Sequence, residues 1–316
     1  MELSIVIPIL NEADAVVELR HSICRELENF PSEYEVIFVD DGSNVGSLNI
    51  LKQISEEDSR VRIISLARNF GQTSALSAGI RGASGEYIAT LDGDLQNDPA
   101  DILPLLDECK KGFDIVSGWR QNREDSLLRV FVSKMANKIA SRISGLPLHD
   151  YGCSMKVYRK AILQKIQLYG EMHRFLPIYG ALKGARVTEC VVHHHPRTMG
   201  RSKYGYQRIL RVLLDMLMFS FLFHSKSPLR YFSPISALIL AASFLSALIG
   251  FIYGYVWPFF AACLLFSIAG HLILFALILE LIIRTHYLSQ KETQYSIKEL
   301  VNFDFHPDFV RANIRG

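Results

Sequence analysis

The stretch Tyr87-Ile88-Ala89-Thr90-Leu91-Asp92-Gly93-Asp94 decides how this chain reads. Five uncharged residues run into two carboxylates separated by a glycine. A short apolar run cut off by polar turn residues predicts a strand buried on both faces. Four other stretches have the same form: LSIVIPIL from Leu3, EVIFVDD from Glu35, VRIISLAR from Val61 and DIVSGWR from Asp114. Helical patterns lie between them, from Glu12 to about Asn29, onward to about Asp58, near 72–83 and near 100–111. This alternation predicts an α/β sandwich with a mainly parallel sheet. Residues 121–145 read as basic and helical, and 184–195 as a further strand. Such sheets bind ligands at the carboxyl ends of their strands. Asp40 and Asp41, Asp92 and Asp94, and Arg120 all fall at predicted strand ends.

The motifs at those ends carry the chemistry. Asp92, Asp94 and the Gln96 amide offer the hard oxygen ligands that Mg²⁺ or Mn²⁺ prefers, and Gly93 lets backbone approach a phosphate closely. A divalent ion there bridges a diphosphate and neutralises charge on a leaving nucleotide. A bare D-x-D triplet is as readily a surface turn; the strand end and its neighbours give it weight. Val39-Asp40-Asp41-Gly42-Ser43 suits acceptance from a base or ribose, or a helix cap. Arg120, Arg129, Lys134, Arg197, Arg201 and Lys203 form a basic set fit for phosphates. Arg129 and Ser133, four apart on a helical stretch, share a face. Asp150 orients an acceptor, acts as a base, or caps a loop; a phosphate monoester is already anionic at neutral pH and needs no strong base. The run His193-His194-His195 alternates faces on a strand, which argues against a metal cage.

The apolar content is 49%, and the surplus is concentrated in 231–283. Tyr231 to Leu279 contains no Asp, Glu, Lys or Arg. That length accommodates two membrane spans. Tyr253-Gly254-Tyr255-Val256-Trp257-Pro258 interrupts it with helix breakers and interfacial aromatics. The expectation is a transmembrane hairpin within 229–284, with spans of about 231–253 and 258–282. Lys226 and Arg230 precede it and Arg284 and Lys291 follow, so both ends should face the cytoplasm. Residues 206–228 read as an amphipathic helix on the bilayer surface, with Arg208, Arg211 and Asp215 on one face. Residues 285–316 read as a cytoplasmic tail, and 1–205 as the catalytic domain. A formal net charge of +2 gives no case for nucleic acid. Five scattered cysteines without a C-x-x-C pair fit a reducing compartment. The amino terminus runs straight into a strand pattern with no signal-peptide character.

SIVIPILNE, VDDGS, RNFGQTSALSAGI, LDGDLQNDP, SGWR, DYGCSMKVYRK and PRTMGRSKYG, in that order, resemble the family-2 glycosyltransferases of the GT-A fold. Within these the chain looks like the polyprenyl-phosphate glycosyltransferases, over about residues 3–205 and again in the hairpin. The resemblance implies a nucleoside site at Pro8, Leu10, Glu12 and Asp41, and a metal at Asp94 and Gln96 with Asp92 close by. It implies an acceptor-phosphate site at Arg120, Arg129 and Ser133, and a mobile loop bringing Arg197 and Lys203 to the phosphates. The implied reaction is inverting: the lipid phosphate, expected to be undecaprenyl phosphate, attacks a UDP- or GDP-linked sugar at the cytoplasmic face of the plasma membrane. Gly93 replaces an alanine common in relatives, and Leu10 a tyrosine. A homo-oligomer is also implied. A processive polysaccharide synthase is disfavoured by the missing Q-x-x-R-W motif and the few spans; a non-catalytic scaffold or flippase partner is disfavoured by the intact acidic triplet.

Overall fold

The computed structural model describes residues 1–121, 135, 137–138, 140–142, 144–166, 168, 172–196, 228–289 and 295–303. It divides into two compact units, Met1–Val212 with Glu292–Gly316, and Leu213–Lys291.

The first unit is an eight-stranded sheet: β1 (Leu3–Ile9), β2 (Tyr34–Asp40), β3 (Val61–Leu66), β4 (Tyr87–Thr90), β5 (Ile115–Trp119), β6 (Lys156–Arg159), β7 (Val187–Val191) and β8 (Ile297–Val301). Their spatial order is β7-β5-β6-β4-β1-β2-β3-β8. The helices are α1 (Ala13–Glu26), α2 (Val45–Glu57), α3 (Gln72–Gly82), α4 (Ile102–Lys110), α5 (Lys160–Leu163) and α6 (Leu176–Leu182). β1, β2, β3 and β4 are mutually parallel, as the apolar runs predict. Apolar side chains fill both faces. Ile5, Ile7, Val36 and Phe38 point to one layer, and Val6, Ile37, Val39 and Ile64 to the other. Burial on both faces is why these strands read as near-continuous apolar runs rather than alternating ones. Gly79 brings α3 onto the second face: a Cβ there would lie 2.3 Å from Val6 Cγ1 and 2.9 Å from Val39 Cγ2.

Two strands depart from the sequence reading. β6 lies antiparallel between β4 and β5, so these are not neighbours. With four residues it is too short for periodicity to announce it. β8 comes from the segment read as a tail, and pairs antiparallel with β3 at the sheet edge. Asn302, at φ 59°, finishes β8 and donates from Nδ2 to Ser55 O at 2.8 Å and Val61 O at 2.9 Å. The division at residue 285 is therefore corrected: the chain returns to the sheet of the first unit and covers the edge beside β3, which removes a row of unpaired backbone groups there. The described residues of the 121–145 stretch between 135 and 144 are helical.

The second unit holds α7 (Pro228–Tyr253) and α8 (Trp257–Ser289). Phe232–Tyr253 and Trp257–Ile282 are long and apolar enough to cross a membrane. They pack through small residues seven apart, the spacing that keeps one face on a partner helix. Ser236 Oγ donates to Ala269 O at 2.8 Å, and Ser243 Oγ to Ala262 O at 2.7 Å. Gly254, at φ 70°, makes the turn. The expected amphipathic helix at 206–228 lies outside the described residues except for its last residue.

Candidate active site

The strand order explains how the site is assembled. β6 is antiparallel, so its first residue, Lys156, lies opposite Thr90 of β4 and Ser117 of β5. The loop before it, Asp150–Met155, therefore falls between the carboxyl ends of β4 and β5. Asp92 and Arg120 are brought to the two sides of that loop. Gly118 allows the close passage: a Cβ there would sit 2.8 Å from Met155 O and 2.9 Å from Cys153 Sγ.

Beyond β4 the backbone folds into a tight acidic turn. Leu95 takes the left-handed conformation, φ 60°, and Gln96 N donates to Asp94 Oδ1 at 3.2 Å. Gly93 packs on the end of β1, where a Cβ would lie 2.4 Å from Ile9 Cδ1 and 3.0 Å from Glu12 Oε2. Glu12 thus stands beside the acidic turn. Asp92 Oδ1 accepts from Gln72 Nε2 at 2.8 Å. Burial first, then the charge of Asp94, push the Asp92 carboxyl above its ordinary range; Ser154, Arg120 and Lys156 pull the other way. A cation offsets the charge of a buried carboxylate beside a second one, so the donor set suits Mg²⁺ or Mn²⁺. Among the described residues no cluster of three or more His, Cys, Asp and Glu side chains forms a metal cage. A two-carboxylate and amide set leaves coordination positions for phosphate oxygens and water.

Arg120 forms a buried fork with Asp150: Nε to Oδ2 at 2.7 Å and Nη2 to Oδ1 at 3.0 Å. Burial opposes the guanidinium charge, but the Asp150 hydrogen bonds and charge outweigh it and raise the Arg120 pKa. Gly152 N also donates to Asp150 Oδ1. The adjoining His149 is held by Glu189 of β7, through its backbone N–H at 2.8 Å and through its ring, and stacks on Trp119 with ring centroids 4.3 Å apart.

At the carboxyl ends of β1 and β2 the two strands run in register, Ile9 opposite Asp40, and Asp41 N donates to Ile9 O. Pro8, Leu10, Glu12 and Asp41 therefore share one rim. Asp41 is largely engaged by the chain itself: Oδ1 accepts from Phe70 N at 2.7 Å and Oδ2 from Gly71 N at 2.9 Å. Burial raises its pKa against those two donors. Gly42 is required beside it, since a Cβ would meet Arg68 C at 2.4 Å. Asp40 accepts from Ser43 N and Ser65 Oγ. Neither aspartate caps α2; Asn44 does, accepting from Ser47 N at 3.1 Å.

The histidine run has a clear structural use. His193 pairs with Asp101 at 2.9 Å and His195 with Asp98 at 3.1 Å, while His194 bridges to Asn97 through backbone. Hydrogen bonding to Asp101 raises the His193 pKa. The chain entering the basic PRTMGRSKYG segment is thereby fastened to the acidic turn. Arg129, Ser133, Arg197 and Lys203 lie outside the described residues. Gln72, Asn97, Ser154 and Lys156 join the site unforeseen. Buried Lys156 donates to Tyr151 O at 3.3 Å and to Cys153 O, and burial lowers its pKa. A buried lysine opening the short strand Lys156–Arg159 was the available sign of it.

A mainly parallel α/β sheet ending in an acidic D-x-D turn beside a buried arginine defines a GT-A-type glycosyltransferase. Residues 4–167 match the family model for glycosyl transferase family 2, and the chain belongs to that family. It is 38% identical over 314 residues to a dodecaprenyl-phosphate galacturonate synthase of Rhizobium johnstonii, covering 95% of this chain and 93% of that one. Its fold is similar to mannosyl-3-phosphoglycerate synthase of Rubrobacter xylanophilus, with TM-score 0.56, 15% identity, and 70% and 74% of the two chains covered. It is also similar to glucosyl-3-phosphoglycerate synthase of Mycobacterium tuberculosis, solved with Mn²⁺ and UDP-glucose, with TM-score 0.53, 18% identity, and 69% and 78% covered.

Proposed function

We propose that the protein transfers a sugar from a nucleotide-sugar to a polyprenyl phosphate at a membrane surface. The observation that carries this reading is the acidic turn on β4 facing the Arg120–Asp150 pair, in a chain that also holds two span-length apolar helices. A relative that aligns over nearly the whole chain, hairpin included, is named for the same class of product.

Pro8, Leu10, Glu12 and Asp41 border the nucleoside, with Asp41 shaping the Phe70–Gly71 loop. Asp94, with Asp92 and Gln96 beside it, would hold a divalent cation, Mn²⁺ or Mg²⁺, which would supply charge neutralisation for a leaving nucleoside diphosphate. Arg120, with Arg129 and Ser133, receives the acceptor phosphate, and Arg197 and Lys203 approach the donor and acceptor phosphates. The lipid phosphate oxygen attacks the anomeric carbon as the diphosphate leaves, inverting that centre. The acceptor is already an anion, so the chain's task is to place and desolvate it rather than to remove a proton. Asp150 is a positioning residue in this scheme: its oxygens are hydrogen-bonded to Arg120 and Gly152, and it aims the guanidinium. The helices α7 and α8 anchor the enzyme in the plasma membrane with its sheet in the cytoplasm, and undecaprenyl phosphate is the expected acceptor.

The test is transfer by the full-length protein with Mn²⁺ and undecaprenyl phosphate, read alongside Asp94→Ala. The variant should lose at least about 10²-fold in kcat and its Mn²⁺-dependent affinity for nucleoside diphosphate. Equal transfer by both proteins would sink the metal assignment.

A further inference from the structure

The strand β6 opens with a cation in a place where an apolar side chain would pack. Lys156 is 2% exposed and lies opposite Thr90 of β4 on one side and Ser117 of β5 on the other. Burial weighs against its charge, while the nearby Asp150 and Asp92 carboxylates favour it. A methionine of similar length would fill the position without that cost. What distinguishes the ammonium is what it holds. Nζ donates to Tyr151 O at 3.3 Å and to Cys153 O, so the loop before β6 is folded around it.

One of those two contacts leads to Arg120. The Tyr151 carbonyl and the Gly152 N–H belong to a single peptide unit, and in a trans peptide they point opposite ways. The carbonyl faces the ammonium, and the N–H donates to Asp150 Oδ1 at 3.1 Å. The same oxygen accepts from Arg120 Nη2 at 3.0 Å. A continuous run of polar contacts therefore passes from Lys156 through the 151–152 peptide and the Asp150 carboxylate to the guanidinium, and each polarises the next. The far end of the loop is fastened separately, where Thr90 Oγ1 donates to Ser154 O at 2.8 Å. Rotation of the 151–152 peptide would cost the ammonium an acceptor and Asp150 a donor at once.

We infer that Lys156 is a positioning residue for the acceptor: it fixes the 151–152 peptide, the peptide fixes Asp150, and Asp150 sets the direction of the Arg120 guanidinium toward the lipid phosphate. This rests on the transferase reading given above, in which Arg120 receives the acceptor phosphate.

The experiment is a double-mutant cycle on the full-length protein in detergent with Mn²⁺, varied undecaprenyl phosphate, and whichever of UDP-glucose, UDP-galacturonate and GDP-mannose is turned over fastest. Lys156→Met should raise KM for the lipid phosphate about tenfold, as Asp150→Asn does, with kcat and the affinity for the donor's nucleoside diphosphate each within about 3-fold. The double variant should lie within about 3-fold of the poorer single one, because both changes break the same run of contacts; independent effects would multiply to about 10²-fold. Lys156→Arg, which keeps the charge and several N–H donors, should recover part of the acceptor KM. Lys156→Gln takes the place of the methionine variant in the cycle if that protein does not fold. Multiplied losses, an unchanged acceptor KM, or an equal loss of nucleotide affinity would each overturn the inference while the transferase reading stands. Absence of transfer by the unmodified protein from every donor overturns both.

Discussion

Replacing Asp150 by asparagine separates two roles for that carboxylate. Arg120 and Asp150 make two charge-assisted hydrogen bonds at 2.7 and 3.0 Å, with only 11% and 5% of their side chains exposed. Removing one partner of a buried pair costs about 3–5 kcal/mol, because the other charge is left without compensation. Asparagine keeps the shape and one acceptor oxygen but turns an NH₂ toward a guanidinium N–H, so the loss falls near the lower figure, about 3 kcal/mol. For a unit of this size each kcal/mol shifts Tm by about 2–4 °C, so Asp150→Asn should melt roughly 6–12 °C lower. The guanidinium loses its aim, and KM for the lipid phosphate should rise about tenfold while UDP affinity holds. Asp150→Glu should recover part of both. Thermal unfolding in detergent and steady-state kinetics with varied acceptor are the measurements. A general base behaves otherwise: kcat falls by about 10²–10⁴-fold with Tm and acceptor KM unmoved. That pattern would refute the positioning role.

Asp58 gives a pH-dependent test of stability. Hydrogen bonds from Arg60, reinforced by Arg20, hold its carboxyl below the ordinary range. A folded pKa below the unfolded value of about 3.9 stabilises above that value and loses the contribution as pH falls through the folded pKa. Asp58→Asn should therefore cost about 1–3 kcal/mol at pH 7, and the gap to the unmodified protein should close below about pH 4; an unchanged gap there would exclude the linkage. Asn302→Ala removes two hydrogen bonds to Ser55 O and Val61 O and leaves a Cβ residue at φ 59°. It should destabilise the catalytic unit by about 2–3 kcal/mol, seen as a lower Tm and faster amide exchange in β3 and β8. A tail independent of the sheet would show neither effect.

The sequence by itself determined the layered fold and the location of the acidic turn. Strands buried on both faces are near-continuous apolar runs, and Leu3–Ile9, Tyr34–Asp40, Val61–Leu66 and Tyr87–Thr90 are all legible that way, with Glu35 and Arg62 paired to each other. The same logic exposes α7 and α8, because a long stretch without charge stands out against any soluble segment. Tertiary structure decided the rest, since it depends on which distant segments meet. β6 is four residues long, and only its antiparallel insertion between β4 and β5 sets Asp150 against Arg120, thirty residues earlier in the chain. β8 pairs with a strand more than two hundred residues before it, and nothing local in Ile297–Val301 distinguishes a tail from an edge strand. Asp41 illustrates the same limit within a motif. The sequence places a carboxylate at a strand end, but the backbone N–H groups that occupy it, Phe70 and Gly71, come from another loop. Local pattern specifies burial and period; the partners of a polar group are a property of the folded chain.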